Sequence, residues 1–162
     1  MYKVLFVCLG NICRSPLAEG IFNKLIVENG LQQKIQCDSA GTSNYHIGDL
    51  PDSRTIKVAT KNGMKLTHRG RQFTAADFSK FDLIVPMDSD NKDNILELAT
   101  TEADRQKTIL MRSYDSSKSK GNVPDPWFGE MTDFEFCHRL LRECCSNLLQ
   151  DIKERIEQEQ PL

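Results

Sequence analysis

The sequence predicts an open, doubly wound α/β sheet of four parallel strands with helices on both faces. Short β-branched and aromatic runs alternate with segments whose apolar residues recur at helical spacing, the pattern of parallel strands joined by crossover helices. The first of these runs, Val4 to Val7, passes through a glycine-containing loop directly into a helix. With 162 residues, 39% of them apolar, the chain has enough material for one core, so residues 1–162 are read as a single domain.

The first helix carries Leu17, Ala18, Ile21, Phe22, Leu25 and Ile26 at helical spacing and should end near Asn29-Gly30, where glycine takes a left-handed C-cap. Ile35 to Ala40 is the second strand. Gly41 to Pro51 is rich in turn formers, yet it carries Tyr45 and His46, which suit a pocket wall better than a plain surface loop. Asp52 or Ser53 caps a helix through Ile56, Val58 and Ala59 to Gly63, and Met64 to Arg71 is basic and irregular. Phe81 to Pro86 is the third strand, and Asp88 or Ser89 caps the helix containing Ile95 and Leu96. Thr108-Ile109-Leu110 is read as a short fourth strand. Ser113 to Gly129 is a long polar loop ending in Trp127-Phe128, and a loop of that length inside a compact domain suggests function. The last helix starts near Thr132 and buries a face from Phe134 to Ile152, with a polar tail, Glu154 to Gln160, expected to fray.

A net charge of −2 and a pI near 5.9 give no global attraction to nucleic acid. The N-terminal apolar run is too short and wrongly flanked for a secretory signal, and no segment is long enough to cross a bilayer, so a cytoplasmic protein without membrane contact is expected. The six cysteines lack zinc-ligand spacing and are read as mostly reduced; no metal and no cofactor is expected.

The chemistry is concentrated in Cys8-Leu9-Gly10-Asn11-Ile12-Cys13-Arg14-Ser15. At a strand-to-helix turn, the loop amides from Leu9 to Arg14 and the positive helix end converge on an anion. A free thiol is only about 3% ionised at neutral pH, and these dipoles together with Arg14 favour the nucleophilic thiolate of Cys8. Arg14 offers a planar fork that holds two phosphate oxygens. Attack of Cys8 on phosphorus then requires a proton donor for the departing oxygen, which cysteine and arginine cannot supply. Asp125, in Asp125-Pro126-Trp127-Phe128-Gly129, is the best candidate.

These residues resemble the low-molecular-weight protein tyrosine phosphatases, whose N-terminal loop often reads CLGNICRSP, as residues 8–16 do; the likeness runs over nearly the whole chain. The resemblance implies Cys8 as nucleophile, Arg14 as phosphate ligand and Asp125 as general acid and then base. It further implies that Asn11, Ser39 and His68 brace the loop and that Ser15 donates to the Cys8 thiolate. Tyr45 and Trp127 would flank a phenyl ring, with Ile12 and Phe128 completing the pocket. Cys13 matches the cysteine that pairs with the nucleophile under oxidation, and Asp88 is given a place near the loop. Where family members often carry Asp-Pro-Tyr-Tyr, a site of regulatory tyrosine phosphorylation, this chain has Trp127-Phe128. Expected partners are phosphotyrosine proteins or small aryl phosphates, with inorganic phosphate or similar oxyanions as inhibitors, and the expected state is a monomer or weak self-associate.

Taken alone, several of these residues have plainer readings. Cysteine is most often a core thiol, Asp125 can start a turn before proline, Asp88 can be only a cap, and His46, His68 and His138 can be surface histidines. An arsenate reductase on the same scaffold needs relay cysteines, and none lies between Cys37 and Cys137. An arginine-phosphate hydrolase carries a smaller, polar residue where Ile12 stands. A catalytically silent phosphotyrosine-binding module would not need Cys8, Arg14 and Asp125 together, and a nucleotide-binding domain would need a Walker lysine or G-x-G-x-x-G that is missing.

Overall fold

A computed structural model describes residues 1–117 and 121–159. Strand β1 (Tyr2–Cys8) is the centre of a three-stranded parallel sheet, flanked by β2 (Ile35–Gly41) and β3 (Leu83–Pro86) in the order β2-β1-β3. From Val4 to Cys8 every residue of β1 is buried, as expected of a strand covered on both faces. Helices α1 (Arg14–Glu28) and α6 (Met131–Gln158) cover one face, where Val4, Phe6 and Cys8 meet Leu17, Ile21, Phe22 and Leu148. The rings of Phe6 and Phe22 meet edge to face at 5.5 Å. On the other face Leu5, Val7 and Ile84 pack with Phe73, Phe78 and Ile95. These come from the segment before β3, from α3 (Asp77–Lys80) and from α4 (Ser89–Glu97).

The fourth strand predicted at Thr108 to Leu110 is reduced to one isolated bridge between Thr108 and Ile84. Helix α5 (Glu102–Gln106) runs up against it from one side and a 3-10 helix (Met111–Tyr114) begins just after it, so the stretch between them is only residues 107–110 and pairs at a single position. A second correction concerns the polar tail: α6 stays helical through Gln158, because Ile152 and Ile156 still pack on the core, while Gln160 lies outside the described residues. The other boundaries agree with the sequence to within a few residues. Gly30 is left-handed after α1 (φ 66°), and Asp52 caps α2 (Ser53–Lys61) by accepting the Arg54 N–H. Among the described residues, no helix is long and apolar enough to cross a membrane.

All three strand C-termini lie at one edge of the sheet, because every pairing is parallel. Cys8 is the last residue of the central strand, opposite Gly41 at the end of β2. A β-carbon on Gly41 would come within 2.8 Å of the Leu9 carbonyl, so glycine is needed for the following loop to fold across the end of β2.

Candidate active site

Residues 9–13 form a tight arch between β1 and α1. The Leu9 carbonyl accepts the Ser43 N–H and hydroxyl, which pins the arch to the segment after β2. Among the described residues, the N–H groups of Leu9, Gly10, Asn11, Ile12 and Cys13 have no protein acceptor. Unpaired amides at a helix N-terminus are what an oxyanion requires.

Asn11 holds the arch from behind. It is the only non-glycine residue with positive φ among the described residues (56°), and its side chain turns inward to 1% exposure. Its Nδ2 donates to Ser15 Oγ at 2.8 Å and Ser39 Oγ at 3.0 Å, and its Oδ1 accepts the Arg71 N–H at 3.0 Å, which fixes the orientation of the amide. His68 Nε2, 2.7 Å from that same Oδ1, must therefore be a donor. His68 Nδ1 faces Glu19 Oε1 at 3.2 Å and Asp38 Oδ1 at 3.3 Å. Burial alone would lower the His68 pKa, but the carboxylates of Asp38 and Glu19 outweigh it and raise the pKa to about 9. Burial would raise that of Asp38, but hydrogen bonding to His68 and the Ser39 backbone holds it well below the usual carboxylate range. Glu19, Asp38 and His68 also bring ligand-type atoms within 4.8 Å of one another, but an imidazolium has no lone pair for a metal.

Cys8 Sγ lies 3.0 Å from Ser15 Oγ, itself fixed by Asn11. With the sulfur as thiolate, the hydroxyl is the donor. Arg14 is 2% exposed at the start of α1. Its Nη1 is held by Asp88 Oδ2 at 2.7 Å and by the Val123 carbonyl at 3.0 Å, while Nη2 lies 3.6 Å from Asp125 Oδ2. The same Asp88 carboxylate caps α4 through the Asn91 N–H, so its capping and loop-side readings are both realised. Asp125 Oδ1 accepts the Trp127 N–H at 3.1 Å, leaving Oδ2 facing the pocket.

A pocket of about 290 Å³ opens above the arch. Cys8, Leu9, Gly10, Ile12, Cys13 and Arg14 of the arch line it together with Tyr45, Asp125, Trp127 and Phe128. Phe128 is 90% exposed and meets Trp127 edge to face at 4.6 Å. Asn11 shapes the loop without lining the pocket. Cys13 sits among Ile12, Val58 and Phe134, where burial and the nearby Asp52 charge push its thiol pKa up.

His46 has a larger part than a surface histidine. It lines the pocket beside Gly10, with Nδ1 held by Asp49 Oδ2 at 3.1 Å. Gly70 leaves room for its carbonyl and clamps its loop through the Gly48 N–H and Asp49 carbonyl. His138 is buried on α6 and does not line this pocket. Val123 and Arg71 are parts of the site that carried no local signal in the sequence: Val123 acts through its backbone carbonyl, and Arg71 through its backbone N–H and through a guanidinium that reaches Asp38 at 3.2 Å.

Comparison with known proteins agrees with this geometry. Residues 3–159 match the family model described as low molecular weight phosphotyrosine protein phosphatase. The Dictyostelium discoideum low molecular weight phosphotyrosine protein phosphatase is 42% identical, covering 93% of each chain. Among solved structures, a protein tyrosine phosphatase from Entamoeba histolytica with Hepes in the active site superposes with a TM-score of 0.90 at 39% identity, covering 95% of this chain and 98% of that one. A Drosophila arginine phosphatase superposes at 0.86 with 35% identity, covering 93% and 98%.

Proposed function

Since the chain belongs to the low molecular weight phosphotyrosine protein phosphatase family and is a protein tyrosine phosphatase, we propose that Cys8, Arg14 and Asp125 carry its reaction. The observation that supports this is their meeting in one pocket, with the thiol hydrogen-bonded to Ser15 and Asp125 facing Arg14. Cys8 Sγ attacks the phosphorus of an aryl phosphate, forming an S–P bond as the P–O bond to the ring breaks. The protonated Asp125 carboxyl gives its proton to the departing phenolic oxygen. Water then attacks the cysteinyl-phosphate, its proton passing to the Asp125 carboxylate, and the S–P bond breaks to release phosphate and the thiolate. Arg14 and the amides of residues 9–13 follow the charge on the equatorial oxygens throughout.

The substrates we infer are phosphotyrosine in proteins and small aryl phosphates, a reading supported by the apolar and aromatic side chains of Ile12, Tyr45 and Trp127 in the pocket lining. Inorganic phosphate and similar oxyanions compete for the arch; the Hepes in the Entamoeba active site brings a sulfonate of the same kind. The likeness to an arginine phosphatase is weighed against by Ile12, an apolar residue in the pocket lining. Six free thiols, one of them the nucleophile, suit the reducing cytoplasm, and the protein is read as a monomer or weak self-associate.

The decisive experiment is hydrolysis of phenyl phosphate with chelator present by wild type, Cys8→Ser and Asp125→Asn. Turnover is expected to vanish in the first variant and to fall roughly 10²-fold or more in the second. Full activity in Cys8→Ser would overturn the assignment.

A further inference from the structure

The loop carrying Asp125 is tied to the phosphate arch through one side chain that does not line the pocket. Arg54, in the first turn of α2, donates Nη2 to the Trp127 carbonyl at 3.0 Å and Nη1 to the Gly129 carbonyl at 3.2 Å. Those carbonyls belong to the turn just after Asp125, which the Trp127 N–H already joins to the Asp125 carboxylate. The other edge of the guanidinium is gripped by Asp52, Nε to Oδ1 at 3.0 Å and Nη2 to Oδ2 at 3.0 Å. Its face lies 4.4 Å from the centre of the Phe134 ring at the start of α6. Asp52 in turn donates its backbone N–H to the Ile12 carbonyl at 2.8 Å. A continuous run of contacts therefore joins the arch, through Ile12, Asp52 and Arg54, to the backbone that carries Asp125.

A partly exposed Arg–Asp pair by itself contributes little to stability. Here the fork does more than pair a charge: it reaches two carbonyls and a carboxylate at once, which the single ammonium of lysine cannot reproduce. The position of a general acid matters steeply, because displacement by about 1 Å can cost on the order of 10²-fold in rate.

We propose that Arg54 is a positioning residue, which sets the distance of the Asp125 carboxyl from the leaving oxygen by strapping its loop to the phosphate arch. This rests on the reading of Asp125 as the general acid.

The test compares wild type, Arg54→Met, Arg54→Lys, Asp125→Asn and the Arg54→Met/Asp125→Asn double variant on two esters, with kcat/KM reporting the first chemical step. Phenyl phosphate releases a phenol with a pKa of about 10, which needs the acid's proton, whereas 4-nitrophenyl phosphate releases a stable anion. Arg54→Met should lower kcat/KM on phenyl phosphate roughly tenfold or more while changing 4-nitrophenyl phosphate by about twofold at most. Arg54→Lys should recover little of the loss. In the Asp125→Asn background the Arg54 substitution should cost nothing further on phenyl phosphate, since there is no acid left to misplace. Inhibition by inorganic phosphate should be unchanged in Arg54→Met and Arg54→Lys, reporting an intact arch in both. Equal losses on the two esters, a fully additive double variant, or no loss on phenyl phosphate would each overturn the inference. Unimpaired phenyl phosphate hydrolysis in Asp125→Asn alone would instead overturn the acid assignment, and this inference with it.

Discussion

His68 Nε2 donates to Asn11 Oδ1 across 2.7 Å, and its other ring nitrogen faces the carboxylates of Glu19 and Asp38. The imidazolium therefore supports the arch from a position that never touches substrate. Its pKa is about 9 in the folded chain against about 6.5 when unfolded. A raised histidine contributes stability that is fully present below pH 6.5 and is lost as pH rises through 9. Denaturant unfolding should show a loss of about 3 kcal/mol across that window. In His68→Gln the part of this window below about pH 8, before unfolded thiols begin to ionise, should be flat, and an unchanged slope there would assign the effect to another group.

Asp88 is the counter-charge of a guanidinium that is almost wholly buried. Asn at this position keeps a good helix cap and removes the charge. Asp88→Asn should destabilise the apo protein by about 1–3 kcal/mol, below the full cost of breaking a buried pair because Asp88 is itself partly exposed. Saturating inorganic phosphate should recover part of that loss by supplying the missing anion. Equal destabilisation with and without phosphate would show that Arg14 does not depend on Asp88 for its charge balance.

Ile12 lines the pocket and packs with Val58 and Phe134. Ile12→Ala removes apolar contact worth about 1–2 kcal/mol to a bound ring. The ratio of kcat/KM for phenyl phosphate to that for an alkyl phosphate should fall roughly five- to thirtyfold. Using a ratio within one variant removes any general loss from that packing.

Cys13 is buried with its thiol pKa raised. Peroxide should oxidise the Cys8 thiolate to a sulfenic acid, which Cys13 then condenses to a Cys8–Cys13 disulfide with release of water. Because burial keeps Cys13 protonated, disulfide formation should accelerate as pH rises. Peptide mass analysis after timed quenching measures it; sulfinic Cys8 without a link at any pH would exclude Cys13 as partner.

The arch and its strand and helix were legible because they are contiguous: an apolar run, a glycine loop and a helical repeat are all local patterns. The fourth strand does not form as expected because Thr108-Ile109-Leu110 carries no record of the helices that crowd it on both sides. α3 and α5 span only four and five residues, too few for periodicity. Asp88 could be read as a cap from its own neighbourhood, but its bond to Arg14 crosses 74 positions of sequence. Arg54 gave no signal, since an arginine in the first turn of a helix looks like any solvated charge.

The nucleophile sits at the end of the innermost strand, whereas the acid rides on a surface segment fastened by side chains. The two halves of the site thus belong to regions of unequal local stability. Amide hydrogen exchange should be slowest in Val4 to Val7 and much faster from Asp125 to Gly129. Mild denaturant would then unfasten the acid first, leaving a molecule that still captures phosphate but turns over only esters whose leaving groups need no proton.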